Sequence, residues 1–306
     1  MTWRFWAWPW ELARCGVLGI NARNLEMLLE LNPRELCGLV DDKAATKEIC
    51  RQQGIATPAT YAIVERFSQL DPLVAALDQR QEFVIKPARG AGGRGILVIA
   101  GRDGGDYLTA GGLKVSPPEL RDHVARILAG LHNAAGQGDK AIVEARIRPH
   151  PAFAEISAGG TPDVRIVLQS RHPLSAMLRL PTSQSGGRAN LHQGAVGVGI
   201  DVATGATTLA VHHGRRTLRH PDTGAELSGR IIPHWQAAVE MARRLTAALG
   251  LGYLGVDLVL DRDQGAMVLE ANARPGLAIQ IANRHGLRRA AAGFSVPAAA
   301  PATYGG

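Results

Sequence analysis

Residues 255–276 read GVDLVLDRDQGAMVLEANARPG. Apolar runs flank Arg262-Asp263-Gln264-Gly265, so the segment from Tyr253 onward is expected to fold as an antiparallel hairpin. Pairing its arms sets Asp257 opposite the end of the second strand, which carries Glu270 and Asn272. Those two stand at i and i+2 and project from one face. Two carboxylates and an amide oxygen suit Mg2+ bound together with nucleotide phosphates. An ordinary hairpin would turn its acids to water. Glu270 instead follows the apolar run AMVL, where a carboxylate needs a partner and a metal is the simplest one.

A second segment upstream points the same way. KPARGAGGRGI (86–96) sets Lys86 at the end of the strand EFVIK, followed by Gly90, Gly92, Gly93 and Gly95 interleaved with Arg89 and Arg94. Glycines let backbone N–H groups close on phosphate oxygens, and the lysine adds positive charge. The run returns into a strand, ILVIA, and no Gly-Lys-Ser/Thr follows, so it is neither a Walker A loop nor a Rossmann turn. A flexible hairpin turn is the competing reading; the interleaved arginines favour phosphate.

Apolar spacing predicts a helix over 22–31, ended by Asn32-Pro33. A second helix follows Asp41-Asp42-Lys43 and closes at Gly54, a third covers 117–133, and a fourth covers 233–249. AIVEARI (141–147) reads as a strand, 164–170 pairs with 174–180, and AVGVGIDV pairs with ATTLAVHH. Hairpins carried by a few helices indicate an α+β fold, not a doubly wound parallel sheet. From about residue 290 the composition is Ala/Pro/Gly, and no packed structure is expected.

At 306 residues, 46% hydrophobic and 20% charged, the chain is not globally disordered. No run approaches the ~18 apolar residues of a membrane helix, and the N-terminus lacks a signal-peptide pattern. Cys15, Cys37 and Cys50, without a C-x-x-C pair, fit a reduced cytoplasmic chain. The net charge of +7 rests on five lysines and 29 arginines. The arginines are scattered rather than clustered with aromatics, so nucleic acid is not an expected partner. Trp3, Trp6, Trp8 and Trp10 crowd the N-terminus and suit a peripheral membrane surface or a protein partner. The simpler reading is an arm folded onto its own core.

Taken in order from about Asp41 to His285, DDKAATK (41–47), KPARGAGGRGI, VEARI (143–147) and DLVL…LEANARPG resemble the ATP-grasp carboxylate–amine ligases. DVRIVL (163–168), AMLRL (176–180) and GGRANLHQGA (186–195) resemble the RimK-type alpha-L-glutamate ligase branch. GINARN (19–24), VDDK and RLPTSQSGGRANLHQGAVGVGID resemble the related sugar-transfer-associated ATP-grasp group.

The resemblance implies an α+β ATP-grasp fold whose two lobes hold ATP and two Mg2+ ions, with Mn2+ an acceptable replacement. Lys86 would contact the α- and β-phosphates, with Arg89 beside it. Gly92, Gly93 and Gly95 would close the loop, Ile96 would lead out of it, and Lys43 would support the nucleotide. Glu144, Ala145, Arg146 and Ile147 would form the hinge that bonds adenine through main-chain groups, with Glu155 a candidate for the ribose. Asp257, Glu270 and Asn272 would hold the metal, Glu270 bridging. Arg165, Arg179 and Arg274 would neutralise the transferred phosphoryl group, and Asn190 and His192 would line the acceptor side.

The implied activity is ligation of a carboxylate to an amine through an acyl phosphate, with glutamate or another amino acid added to a peptide or small metabolite. A kinase that stops at phosphoryl transfer and a nucleotide-binding interaction module are the rival readings. The expected division is a short arm (1–40), a core (41–286) and a disordered tail (287–306). Within the core, a lid lobe would span about 55–145 and a metal lobe about 146–286. Only about forty residues precede Lys43, so a partner would supply any further acceptor domain, and an oligomer is also compatible with the sequence.

Overall fold

The computed structural model describes residues 7–90, 92–133 and 136–288. Two antiparallel sheets face one another. The first has the order β1-β6-β2-β3-β4-β5, made of β1 (Thr60–Val64), β2 (Phe83–Pro87), β3 (Leu97–Asp103), β4 (Asp106–Thr109), β5 (Lys114–Val115) and β6 (Ala141–Glu144). The second has the order β11-β10-β9-β8-β7-β12-β13. Its strands are β7 (Asp163–Gln169), β8 (His172–Leu180), β9 (Val196–Ile200), β10 (Thr207–His212), β11 (Arg215–Thr217), β12 (Tyr253–Asp261) and β13 (Gly265–Asn272). This is the expected mixed helix-and-hairpin class.

Strand alternation decides what each sheet face meets. On the first sheet Phe83, Ile85, Ala141 and Val143 pack under two helices, Leu70–Leu77 and Pro117–Leu128. Val84, Lys86, Ile142 and Glu144 take the opposite face, where Ile142 meets Ala44 and Glu144 meets Lys47 of the helix Lys43–Gln52. On the second sheet Val164, Ile166, Leu178, Leu254, Val256 and Leu258 form the larger core with the helix Trp235–Leu249. The other parity belongs to Val167, Met177 and Tyr253, which pack against Leu18, Met27 and Ile279. Arg165, Arg179 and Asp257 share that second parity, so the fold places them in the cleft.

Two short straps join the lobes. Ala56 accepts from Val268 of β13 with its carbonyl, and the Ala59 carbonyl accepts from the Ala145 N–H at 2.8 Å. The second strap, 145–150, follows β6 and is tied to the end of β12 by His150 N–H to Leu260 O (2.8 Å) and Arg148 N–H to Asp261 (2.8 Å).

Some boundaries differ from the sequence reading. The third helix stops at Leu128, because Gly130 turns with φ +79 against the Gln137 carbonyl. The β6 strand ends at Glu144, and 145–147 belong to the strap. The β7–β8 turn is Ser170-Arg171, both at positive φ, leaving His172 and Pro173 in the strand. β1, β4, β5, β11 and the helix Leu70–Leu77 were not foreseen.

The segment read as an arm is helical. It holds Pro9–Arg14, Arg34–Asp41 and a helix that runs Ile20–Ala22, widens to a π-helical stretch at Arg23–Leu28, and closes at Leu29–Leu31. Asn32, buried, fastens this segment by donating to the Tyr253 and Ala273 carbonyls and accepting from Tyr253 N–H. The segment thus packs onto the core through Leu18, Met27 and Asn32, but Trp8 and Trp10 do not join it. Their rings stack at 4.8 Å, and they remain 44% and 55% exposed. Trp3 and Trp6 lie outside the described residues, as does most of the expected tail. Leu287 is nonetheless buried, and Arg288 pairs with Glu26. Among the described residues no helix is long and apolar enough to cross a membrane.

Candidate active site

The glycine loop leaves β2 just after Lys86. Gly92, Gly93 and Gly95 all have φ between +65 and +76, a region open to glycine at no steric cost. The loop is braced at both ends. The Arg89 N–H donates to the Asp139 carboxylate at 3.0 Å, and the Arg89 guanidinium stands 3.8 Å from Asp42. At the exit, the Gly95 carbonyl lies 3.1 Å from His123 Nε2, and a Cβ on Gly95 would come within 2.5 Å of the His132 ring. Ile96 is exposed. At its tip the loop meets the segment 188–193 from the other lobe: Gln193 Nε2 donates to the Gly92 carbonyl at 3.2 Å. Asn190 approaches the same glycine, and its side chain accepts from the His192 N–H (3.0 Å). His192 itself is exposed.

Below the loop lies a buried cation pair. Lys86 Nζ is 2.6 Å from one oxygen of Glu144, and Lys47 Nζ is 2.9 Å from the other, the second contact lacking hydrogen-bond alignment. Burial pushes the Glu144 carboxyl up, but the charges of Lys86 and Lys47 outweigh it and hold it below the usual carboxylate range. For Lys47, burial prevails over the attraction of Glu144 and lowers the ammonium pKa, with Lys86 adding repulsion. Two ammoniums sharing one carboxylate leave an excess positive charge. Lys43 links this region to the hairpin, donating to the Gly90 carbonyl at 2.6 Å with Glu270 3.6 Å away. Lys140 instead forms a surface pair with Glu65 at 2.7 Å.

On the hairpin, Asp257 stands opposite Glu270 and Gly255 opposite Asn272, with a bulge directly after. Asp257 is buried. Arg165 holds both its oxygens at 2.6 Å, Arg179 adds a contact at 2.8 Å, and Asn272 donates at 3.4 Å. Arg179 is also bidentate to Asp163, its register partner. Burial raises Asp257, yet Arg165 and Arg179 reverse this and hold it down at about 2. Burial, helped by the Asp257 charge, pushes Asp163 up to about 6 against the pull of Arg179. For Arg179 the two carboxylates overcome burial and raise its pKa.

The donor set Asp257, Glu270 and Asn272 contains only oxygens, which fits a hard cation such as Mg2+. Glu270 has a third of its side chain exposed, and among the described residues its ion-pair partner is Lys43 at 3.6 Å, so its oxygens are available. Asp257 is more committed: three donors converge on Oδ2 and one on Oδ1, leaving Oδ1 the freer atom. No cluster of three or more His, Cys, Asp or Glu side chains suited to a metal occurs among the described residues, so the amide of Asn272 and bound phosphate would have to complete a shell.

At the hinge a cavity of about 480 Å³ opens between the lobes, within the size range of small-ligand sites. The strap residues Ala145, Arg146 and Ile147 line it, with Pro58 and Met267 opposite. Glu82 holds Arg146 and Arg148 at its rim, each at 2.9 Å. Glu144 ends β6 at the edge of the hinge, and its side chain points into the lysine pair, leaving its main-chain groups as the part expected to serve the base. Glu155 pairs on the surface with Arg230 at 3.3 Å and does not line the cavity. Arg274 is exposed. Lys47, Asp163 and Gln193 were missed by the sequence reading. Lys47 carried one signal, its i+4 spacing from Lys43 on a helix capped by Asp42.

The model of the family described as sugar-transfer-associated ATP-grasp matches residues 22–295. D-alanyl-alanine synthetase A from Vibrio cholerae superposes with a TM-score of 0.52 at 10% identity, over 84% of this chain and 64% of that one, which shows a shared fold. D-cycloserine synthetase DcsG (TM-score 0.47, 16% identity) is matched over 85% of this chain and 72% of its own. For an L-amino acid ligase from Bacillus licheniformis (TM-score 0.44, 15% identity) the shares are 81% and 43%. No curated protein matches the sequence.

Proposed function

The chain belongs to the sugar-transfer-associated ATP-grasp family, and from that membership we propose that it is an ATP-dependent ligase joining a carboxylate to an amine. One substrate would be an amino acid such as glutamate and the other a peptide or small metabolite. The observation that carries this reading is the buried Lys47–Glu144–Lys86 group, which is one negative charge short of neutrality directly below a glycine loop. A nucleotide phosphate supplies the missing charge. The hinge cavity takes the base, and Lys43 spans the distance between the loop and Glu270.

In the first half-reaction a carboxylate oxygen of the acid attacks the γ-phosphorus, the bond to the β–γ bridging oxygen breaks, and ADP leaves. Arg165 and Arg179 face the developing charge from a fixed frame, so they need not reorganise as it forms. Mg2+, held by Glu270 and Asn272 with Asp257, would offset phosphate charge. In the second half the amine attacks the acyl carbon, inorganic phosphate leaves, and the amine proton passes to solvent or phosphate. Closure of the glycine loop on 188–193 excludes the water that would hydrolyse the acyl phosphate. The three cysteines are unbridged, in keeping with a cytoplasmic setting.

The test is incubation with Mg-ATP and pooled amino acids, reading ADP release and new amide products by mass spectrometry. Amide with stoichiometric ADP is expected. A phosphorylated product without amide would make the protein a kinase, and absence of both ADP and Mg-ATP binding would end the reading.

A further inference from the structure

The guanidinium groups around the cleft face of the second sheet are unequally paired. Arg165 and Arg179 close on Asp257 and Asp163. Arg23 does not. It is half-buried and directs Nε and Nη2 to the Asn24 side-chain oxygen (3.2 and 2.9 Å) and Nη1 to the Pro275 carbonyl (3.2 Å). No carboxylate partners it among the described residues, and Glu26 on the same helix is taken by Arg288. Partly buried charges are ordinarily paired, so an arginine posted there without an acid is a cation awaiting one.

Its position is tied to the hairpin's end. Pro275 lies over Gly255, where a Cβ would come within 2.6 Å of its ring, and Gly255 is the register partner of Asn272. On the far side of the same turn, Gly276 adjoins Arg165 Nη1, 3.9 Å from where a Cβ would stand. Arg274, in the same turn, is exposed. Arg23 and Arg165 therefore flank the turn Asn272–Gly276, and of these two, among the described residues, Arg165 alone is paired with an acid.

One further observation concerns the same corner: Arg23 opens the π-helical stretch Arg23–Leu28, a widened turn of a kind that is frequent at functional sites. A half-buried guanidinium without an acid at the end of the hairpin is the complement of a carboxylate.

We infer that Arg23 binds the carboxylate of the substrate that enters as the amine, which is therefore an amino acid or a peptide with a free C-terminal carboxylate. This rests on the ligase reading above, but its test does not require turnover. A carboxylate that stays ionised throughout the reaction needs a counter-charge for which metal and phosphate do not compete, and Arg23 is so placed.

The experiment measures binding of pooled L-amino acids, their α-carboxamides and O-phosphoethanolamine to the full chain in Mg-ADP, by saturation-transfer NMR followed by titration of the hits. Amino acids should bind at least 10-fold more tightly than the matching amides. Arg23→Gln should weaken them about 10- to 100-fold, the range for losing a charge-assisted hydrogen bond, while Arg23→Lys recovers part of the loss. In turnover the same variant should raise KM for the amine far more than it lowers kcat. Mg-ADP binding and thermal melting report folding. Should Arg23→Gln not fold, the Lys variant and the acid–amide comparison on the parent chain decide. Amides binding as well as acids, no amino acid binding at all, or an Arg23-dependent site for the phosphate probe alone would each overturn the inference. Arg23-dependent binding of acids with a phosphorylated product in place of amide would overturn the ligase reading while leaving a carboxylate site at Arg23.

Discussion

Beneath the glycine loop two ammonium groups share one carboxylate, whereas on the facing sheet two guanidinium groups meet two carboxylates. The first cluster carries an excess positive charge; the second is balanced. The residue types follow the difference. An arginine fork matches carboxylates standing opposite it on neighbouring strands, as Asp257 does Arg165 and Asp163 does Arg179, and fixes them in register. A lysine is a point charge on a flexible stem, free to leave Glu144 for a phosphate. One cluster is a frame and the other a receptor.

The largest expected effect would break the frame. Asp257→Asn leaves Arg165 and Arg179 facing Asp163 alone, and removing one partner of a buried ion pair costs about 3–5 kcal/mol. Denaturant unfolding without Mg2+ measures it, and a loss below about 1 kcal/mol would show that the frame does not hold the sheet.

The receptor should behave in the opposite way. Lys86→Met leaves Lys47 and Glu144 balanced, so stability should move by no more than about 1 kcal/mol. Mg-ATP affinity, by titration calorimetry, should fall about 10- to 100-fold. Destabilisation as large as that of Asp257→Asn would erase the contrast.

Acid titration sharpens the picture within the frame. Asp257 is depressed to about 2 on folding, so its contribution is present above about pH 4 and is lost as pH falls toward 2. The loss amounts to about 2 kcal/mol. Asp163 is raised to about 6, so its contribution is present below about pH 4 and disappears as pH rises through 6. Asp163→Asn should flatten the stability curve between those two values while leaving the acid limb in place; an unchanged curve would contradict the assignment.

The smallest effect concerns the contact between the lobes. Gln193→Ala removes one exposed hydrogen bond to Gly92. It should raise KM for nucleotide about two- to five-fold and leave the melting temperature unchanged.

The hairpin 253–272 was legible because its arms are largely apolar and its turn residues stand between them. The glycine loop was legible from composition alone. What escaped depended on register between distant strands. The sequence offers Glu144 a main-chain role at the hinge; that its side chain lies diagonally across from Lys86 follows from the pairing of Val84 with Glu144, which neither local pattern encodes. Asp163 was passed over for the same reason: its partner Arg179 is set by the β7–β8 register. Arg23 looks like an ordinary polar position on a helix until Pro275, 252 residues away, is seen to accept from it. Edge strands as short as Lys114–Val115 offer too few residues for any alternation to show.

The two straps between the lobes have a mechanical consequence. A single connection would let one lobe swivel freely about it. Here 56–59 and 145–150 run side by side, are laced by the Ala145–Ala59 hydrogen bond, and are anchored to β13 and β12 respectively. Two parallel pins restrict twist, so opening the cleft would part the lysine group itself: Lys86 and Glu144 ride on the first sheet, whereas Lys47 rides on a helix packed into the core of the second.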